Sequence, residues 1–100
     1  MTKVQLVRAI SKETGIDQPT VLATVESFMN VVKDSLISKE NVYLRGFGTF
    51  EVRTRKGREK ARNPKTGELV AVDTHGVAIF RPGKELKDCI WDLRDAKTED

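Results

Sequence analysis

Residues 46–67 read Gly46-Phe-Gly-Thr-Phe-Glu-Val-Arg-Thr-Arg-Lys-Gly-Arg-Glu-Lys-Ala-Arg-Asn-Pro-Lys-Thr-Gly67, and their pattern decides the fold. Seven cations (Arg53, Arg55, Lys56, Arg58, Lys60, Arg62, Lys65) and one anion, Glu59, lie between Arg53 and Gly67, a charge of +6. The whole chain carries +3, so the remainder sums to −3. Positive charge concentrated in this way points to a polyanionic partner.

Phe50, Val52 and Thr54 alternate with Glu51, Arg53 and Arg55, the two-residue period of a strand. The cations then change parity, from odd Arg53 and Arg55 to even Lys56, Arg58, Lys60 and Arg62. Gly57 sits beside the switch, and a β-bulge there would keep the cations on one face. Asn63-Pro64-Lys65-Thr66-Gly67 supplies turn chemistry, with φ fixed at Pro64 and tolerance of φ > 0 at Gly67. Leu69-Val70-Ala71-Val72 is the return strand. The pattern predicts a long basic β-hairpin, about residues 53–75. The alternative is a solvated charged loop.

One hundred residues set the expectation of one domain spanning 1–100, with 38% hydrophobic residues for its core. A projecting hairpin removes about twenty residues from that core, so oligomerisation is a plausible source of further burial. Cys89 and His75 are each the sole residue of their type. This rules out an intramolecular disulfide or a multi-thiolate zinc site, and no metal or other cofactor is expected. Without a signal-like apolar start or a membrane-length run, a reducing intracellular compartment is the expectation, with no membrane partner.

Thr2-Lys3-Val4-Gln5 has capping-box spacing and Gly15 is a natural stop, predicting a first helix near residues 3–14. Asp17 caps a second helix, with Pro19 in its first turn, running to Ile37 or Ser38. Its apolar residues form two stripes: Val21, Val25, Phe28 and Val32, then Leu22, Val25, Met29, Val32 and Leu36. Two stripes imply two neighbours, and the first helix can be only one of them. A second copy of the chain, or this chain's own sheet or last helix, would provide the other.

A strand over Val42–Arg45 follows, with Val42 and Leu44 on one face and Tyr43 and Arg45 on the other, and Gly46-Phe47-Gly48 turns into the hairpin. Asp73-Thr74-His75-Gly76 interrupts the return, and Val77–Phe80 is a further short strand. Arg81-Pro82-Gly83-Lys84 opens a last helix with Leu86, Ile90 and Leu93 in its stripe, Cys89 as a small core residue and Trp91 at the core's edge. The helix start is either a phosphate site built on the Gly83 and Lys84 amides or an ordinary Pro/Gly start. Residues 96–100 look like a frayed acidic end.

Catalytic signatures are missing. A dinucleotide fingerprint from Gly46 and Gly48 would need glycine at Glu51. A P-loop ending at Gly83-Lys84 would need glycine at Ala78 and Ser or Thr at Glu85. Glu13, Asp17, Glu26, Asp34 and Glu40 fall where helix surfaces and caps want carboxylates. The chain reads as non-enzymatic.

Three elements together resemble the bacterial histone-like HU and integration host factor family: Val42-Tyr-Leu-Arg-Gly-Phe-Gly-Thr-Phe50, Arg62-Asn-Pro-Lys-Thr-Gly67 and Phe80-Arg-Pro-Gly-Lys-Glu-Leu-Lys87. The resemblance implies an α+β fold: an intertwined dimer with two N-terminal helices, a three-stranded antiparallel sheet, an extended hairpin arm and a short C-terminal helix. It implies Phe28, Val32, Leu36, Leu44, Phe47, Phe50 and Phe80 in the dimer core. Pro64 matches the family's intercalating wedge, and Arg62 and Asn63 its minor-groove residues. Arg53, Arg55, Lys56, Arg58, Lys60 and Lys65 would follow phosphates along the arm, with Lys3, Arg45, Lys84 and Lys87 doing so on the body.

The expected activity is largely sequence-independent bending and compaction of duplex DNA, with a preference for bent, nicked or flexible DNA. The expected location is the cytoplasm, on the nucleoid. Sequence-favoured bending, as in integration host factor, is the alternative within the family, and RNA or ribosome binding the alternative outside it. Both homodimer and heterodimer are compatible. The chain departs from the family's pattern in one extra residue between Arg55 and Asn63, in Ala61 for the glycine before Arg-Asn-Pro, and in Ala78 for a proline before Phe80.

Overall fold

The computed structural model describes residues 1–62, 65, 67 and 69–93, without the side chains of 59–62, 69 and 70. The expected turn at Asn63-Pro64 and Thr66 and the acidic end from Ala96 to Asp100 lie outside the described residues.

Helix α1 spans Lys3–Thr14. Its capping box is complete: the Gln5 amide donates to Thr2 Oγ1 and the Thr2 amide to Gln5 Oε1. Gly15 closes it at φ 76°, where a side chain would be strained. Helix α2 spans Gln18–Ile37 with Asp17 as its N-cap. The Thr20 amide and hydroxyl both donate to the Asp17 carboxylate, which holds its pKa below the ordinary aspartate value.

Strands β1 (Val42–Leu44), β2 (Gly48–Arg55) and β5 (His75–Pro82) form an antiparallel sheet in the order β1-β2-β5, and β3 (Arg58–Arg62) pairs with β4 (Leu69–Val72). Helix α3 spans Lys84–Ile90. The β1–β2 turn has the sign pattern of a type II turn: Phe47 N–H donates to Leu44 C=O at 2.9 Å and Gly46 has φ 83°. Asn41 extends the ladder at its open end, its Oδ1 accepting from Val52 N–H at 3.1 Å.

The register gives the sheet two unlike faces. Phe50 pairs with Phe80, Val42 with Phe50, and Leu44 and Pro82 both with Gly48, so these share the face turned to α2. Gly48 is buried under the Phe80 ring. A Cβ there would lie 2.6 Å from the ring's Cζ and from the Arg81 carbonyl oxygen. The rings of Phe47 and Phe50 stand 5.2 and 5.0 Å from that of Phe80, both tilted.

One chain covers this core poorly. Val7 and Val21 are the only buried hydrophobic side chains among the described residues. The surface is 9096 Å², against about 5,700 Å² for a compact monomer of this size. The radius of gyration is 18.2 Å, against about 13 Å expected. Of the two α2 stripes, α1 and the sheet cover part. Phe28 remains 45% exposed and Met29 46%, and an apolar groove of about 560 Å³ runs past Ala23, Ser27, Phe28 and Val31 to Val42.

Four expectations are corrected. Strand β5 begins at His75, not Val77, because His75 and Gly76 pair with Arg55 and Thr54. Arg45 lies in the turn, one residue beyond β1. Leu93 lies past the end of α3 and is exposed. Cys89 and Trp91 are exposed, not packed, because nothing within the described chain closes over that side of α3.

Candidate nucleic-acid interface

The other face of the sheet carries Tyr43, Thr49, Glu51, Arg53 and Arg55 on β1 and β2, opposite Arg81, Ile79, Val77 and His75 on β5. It points away from the helices. The aromatic residues Phe50 and Phe80 belong to the helix-facing side, and strand alternation leaves Glu51, Arg53, Arg55 and Arg81 here, with Val77 and Ile79 half-buried among them. This surface runs directly into the arm.

At the base of the arm both strands break together. Arg55 pairs with His75 and Arg58 with Val72, so Lys56-Gly57 faces Asp73-Thr74 without a net register shift. Gly57 N–H donates to Thr74 Oγ1 at 2.9 Å. A Cβ on Gly57 would collide with the Val72 carbonyl oxygen and the backbone of Asp73 and Thr74. Close approach of the strands is thus the reason for glycine here.

The bulge expected at Gly57 lies instead further out. Arg58 pairs with Val72 and Ala61 with Val70, so Glu59 and Lys60 together oppose Ala71. Positions 58 and 62 consequently fall on opposite faces of the ladder, since their partners are Val72 and Leu69. The bulge does not line all the cations up on one side.

Arg53, Arg55, Lys56, Arg58 and Lys65 are exposed along the arm. Lys60 and Arg62 are placed in β3 by their backbone alone, and Asn63 and Pro64 lie outside the described residues. On the body, Lys84 and Lys87 are exposed one turn apart on α3, and Arg45 is exposed in the β1–β2 turn. Lys3 is exposed too, with its Nζ 3.4 Å from Glu26 Oε1, an ion pair that phosphate binding would have to replace.

Of the two amides expected at a phosphate site on the α3 start, that of Gly83 is already engaged within the chain. Gly83 N–H already donates to the Phe47 carbonyl at 2.8 Å, and a Cβ on Gly83 would crowd that carbonyl at 3.2 Å. Sequence reading missed Arg81 and His75 on the outward face. The alternation of Ile79 and Arg81 with Ala78 and Phe80 carried the signal for Arg81, and the pairing of His75 with Arg55 carried none.

Comparison with known proteins fits this surface. The family described as bacterial DNA-binding protein matches residues 1–90. The chain belongs to that family. Its relatives include integration host factor subunit alpha of Actinobacillus pleuropneumoniae, 37% identical over 94% of this chain and 95% of that protein. The DNA-binding protein HU 1 of Bacillus subtilis is 37% identical over 90% of this chain and 97% of its own length. Among solved structures, an Anabaena HU–DNA cocrystal superposes with a TM-score of 0.83 at 30% identity, covering 92% of this chain and 99% of that one. The helices, the sheet and the arm are therefore those of a histone-like, architectural DNA-binding protein. Among the described residues there is no cluster of ligands for a metal ion, and no helix long and apolar enough to cross a membrane.

Proposed function

We propose that two copies of this chain, or this chain and a related subunit, pair through the open aromatic core and bend duplex DNA between their arms, without catalysis. The observation that carries this is the division of one sheet into two faces. One holds Phe50 and Phe80 beside half-exposed Phe47 and Phe28; the other leads Arg53 and Arg55 outward into the cationic arm. Phe28, Val32, Leu36, Leu44, Phe47, Phe50 and Phe80 form the pairing surface. Arg45, Lys3, Lys84, Lys87 and the arm cations from Arg53 to Lys65 take phosphates.

Pro64 is the wedge in this reading, flanked in the minor groove by Arg62 and Asn63. A ring with no N–H donor enters a base step as an apolar body, and the unstacking is offset by the wrapped basic surface. Binding is largely indifferent to sequence and favours flexible DNA, on the nucleoid in the cytoplasm. A second reading, bending at favoured deformable sites by a heterodimer, is supported by relatives named as a subunit of integration host factor.

Gel shifts on linear, nicked and four-way-junction DNA across salt test the function, with structured RNA as competitor. Tighter binding to nicked and junction DNA, and a log–log salt slope of about −0.9 per phosphate, are expected. Preference for RNA would overturn the reading. Pro64→Ala should reduce the bend, measured by energy transfer between end labels, more than it reduces affinity. An unchanged bend would remove the wedge from the account.

A further inference from the structure

Glu51 stands on the outward face of the sheet between two arginines. Its Oε2 accepts from Arg53 Nη2 at 2.8 Å and from Arg53 Nε at 3.1 Å, and Arg81 Nη2 lies 3.4 Å from the same oxygen. The register explains the grouping. Arg53 is two residues along the same strand, and Arg81, paired with Thr49, is the diagonal neighbour on β5. The Glu51 side chain is 13% exposed, whereas Arg53 and Arg81 are 49% and 60% exposed. The carboxylate is thus sunk in the surface while the two guanidiniums stand above it.

A guanidinium is a planar fork of five N–H donors. Arg53 gives one edge to Glu51 and keeps its remaining donors for a second acceptor. We propose that Glu51 is a positioning residue, which holds Arg53 and Arg81 oriented so that the pair takes two backbone phosphates of a duplex laid across this face. The proposal rests on the DNA-binding reading above. Held side chains lose less freedom on binding than mobile ones, so a half-buried anion in a cationic surface strengthens phosphate capture rather than weakening it.

Charge alone predicts the opposite sign, which makes the matter testable. Glu51→Gln removes one negative charge from each protomer. Duplex affinity is measured by titration of the full-length wild type, Glu51→Gln and Arg81→Ala across salt, with thermal melting in the same buffer. The expected result for Glu51→Gln is binding weakened on the order of tenfold, with a salt slope shallower by about 0.9 to 1.8 per protomer, one to two phosphates fewer at each. Arg81→Ala should make the slope shallower by about 0.9 per protomer, about 1.8 for a homodimer. Equal or tighter binding by Glu51→Gln with an unchanged or steeper slope overturns the proposal. So does an unchanged slope for Arg81→Ala, which decides the matter should Glu51→Gln melt early. A wild type that ignores duplex DNA would instead overturn the functional reading itself.

Discussion

The Gly57 amide and the Thr74 hydroxyl meet at 2.9 Å where both strands of the arm are interrupted, pinning the arm to the body at one level. Gly57→Ala would drive a methyl into the Val72 carbonyl and force the strands apart. DNA affinity should fall on the order of tenfold, from local overpacking of about 1–3 kcal/mol. The body's melting temperature should stay close to wild type, since the atoms the methyl would meet belong to Val72, Asp73 and Thr74, outside the helices and the β1-β2-β5 sheet. Parallel gel-shift and melting curves check both halves of the expectation.

Gly48 serves the body in the corresponding way. A methyl there would meet the Phe80 ring and the Arg81 carbonyl oxygen at 2.6 Å. Gly48→Ala should cost about 2–3 kcal/mol, because backbone and a packed ring must both move. Chemical denaturation should show an earlier midpoint, with DNA binding lost in step with folding and not before it.

The pairing surface is tested at Phe28 and Phe47, which stand 45% and 49% exposed in the single chain. Phe47→Ala should weaken self-association by about 3 kcal/mol, the usual loss for a core aromatic. Analytical ultracentrifugation should show a dimer for wild type at micromolar concentration and a large monomer fraction for the variant. A monomeric wild type would contradict the paired architecture.

Asp17 gives a pH dependence with a definite sign. Its carboxylate accepts from the Thr20 amide and hydroxyl, so its pKa is lower in the folded state than in the unfolded one. Its contribution is present above the ordinary aspartate value of 3.8 and is lost as pH falls through the lowered folded value. The melting temperature of Asp17→Ala should lie below that of wild type at neutral pH, and the gap should narrow as acid protonates the cap.

Helices were the most legible part of the sequence, because caps and a 3.6-residue period act locally. Thr2 with Gln5, Gly15 and Asp17 marked boundaries that the structure keeps. The arm's register was less legible. A register is written into a strand by a buried face, and the cations from Arg53 to Lys65 bury none, so their parity could not locate the bulge at Glu59-Lys60. His75-Gly76 has the composition of a turn, yet pairing with Arg55 and Thr54 across the hairpin makes it strand. The Glu51–Arg81 contact joins residues thirty positions apart and left no local trace. Cys89 was misread because an apolar stripe signals that a face is meant to be covered, without saying whether by the same chain.

A chain that buries only Val7 and Val21 among its described hydrophobic side chains has little to fold around when alone. If the rest of the core is completed by a partner, folding is a second-order event. Each tenfold rise in protein concentration then adds about 1.4 kcal/mol to apparent stability. Dosage and fold become linked: dilution alone lowers the folded fraction, and any cleavage of unpaired, unfolded chains would pull the equilibrium further from the dimer.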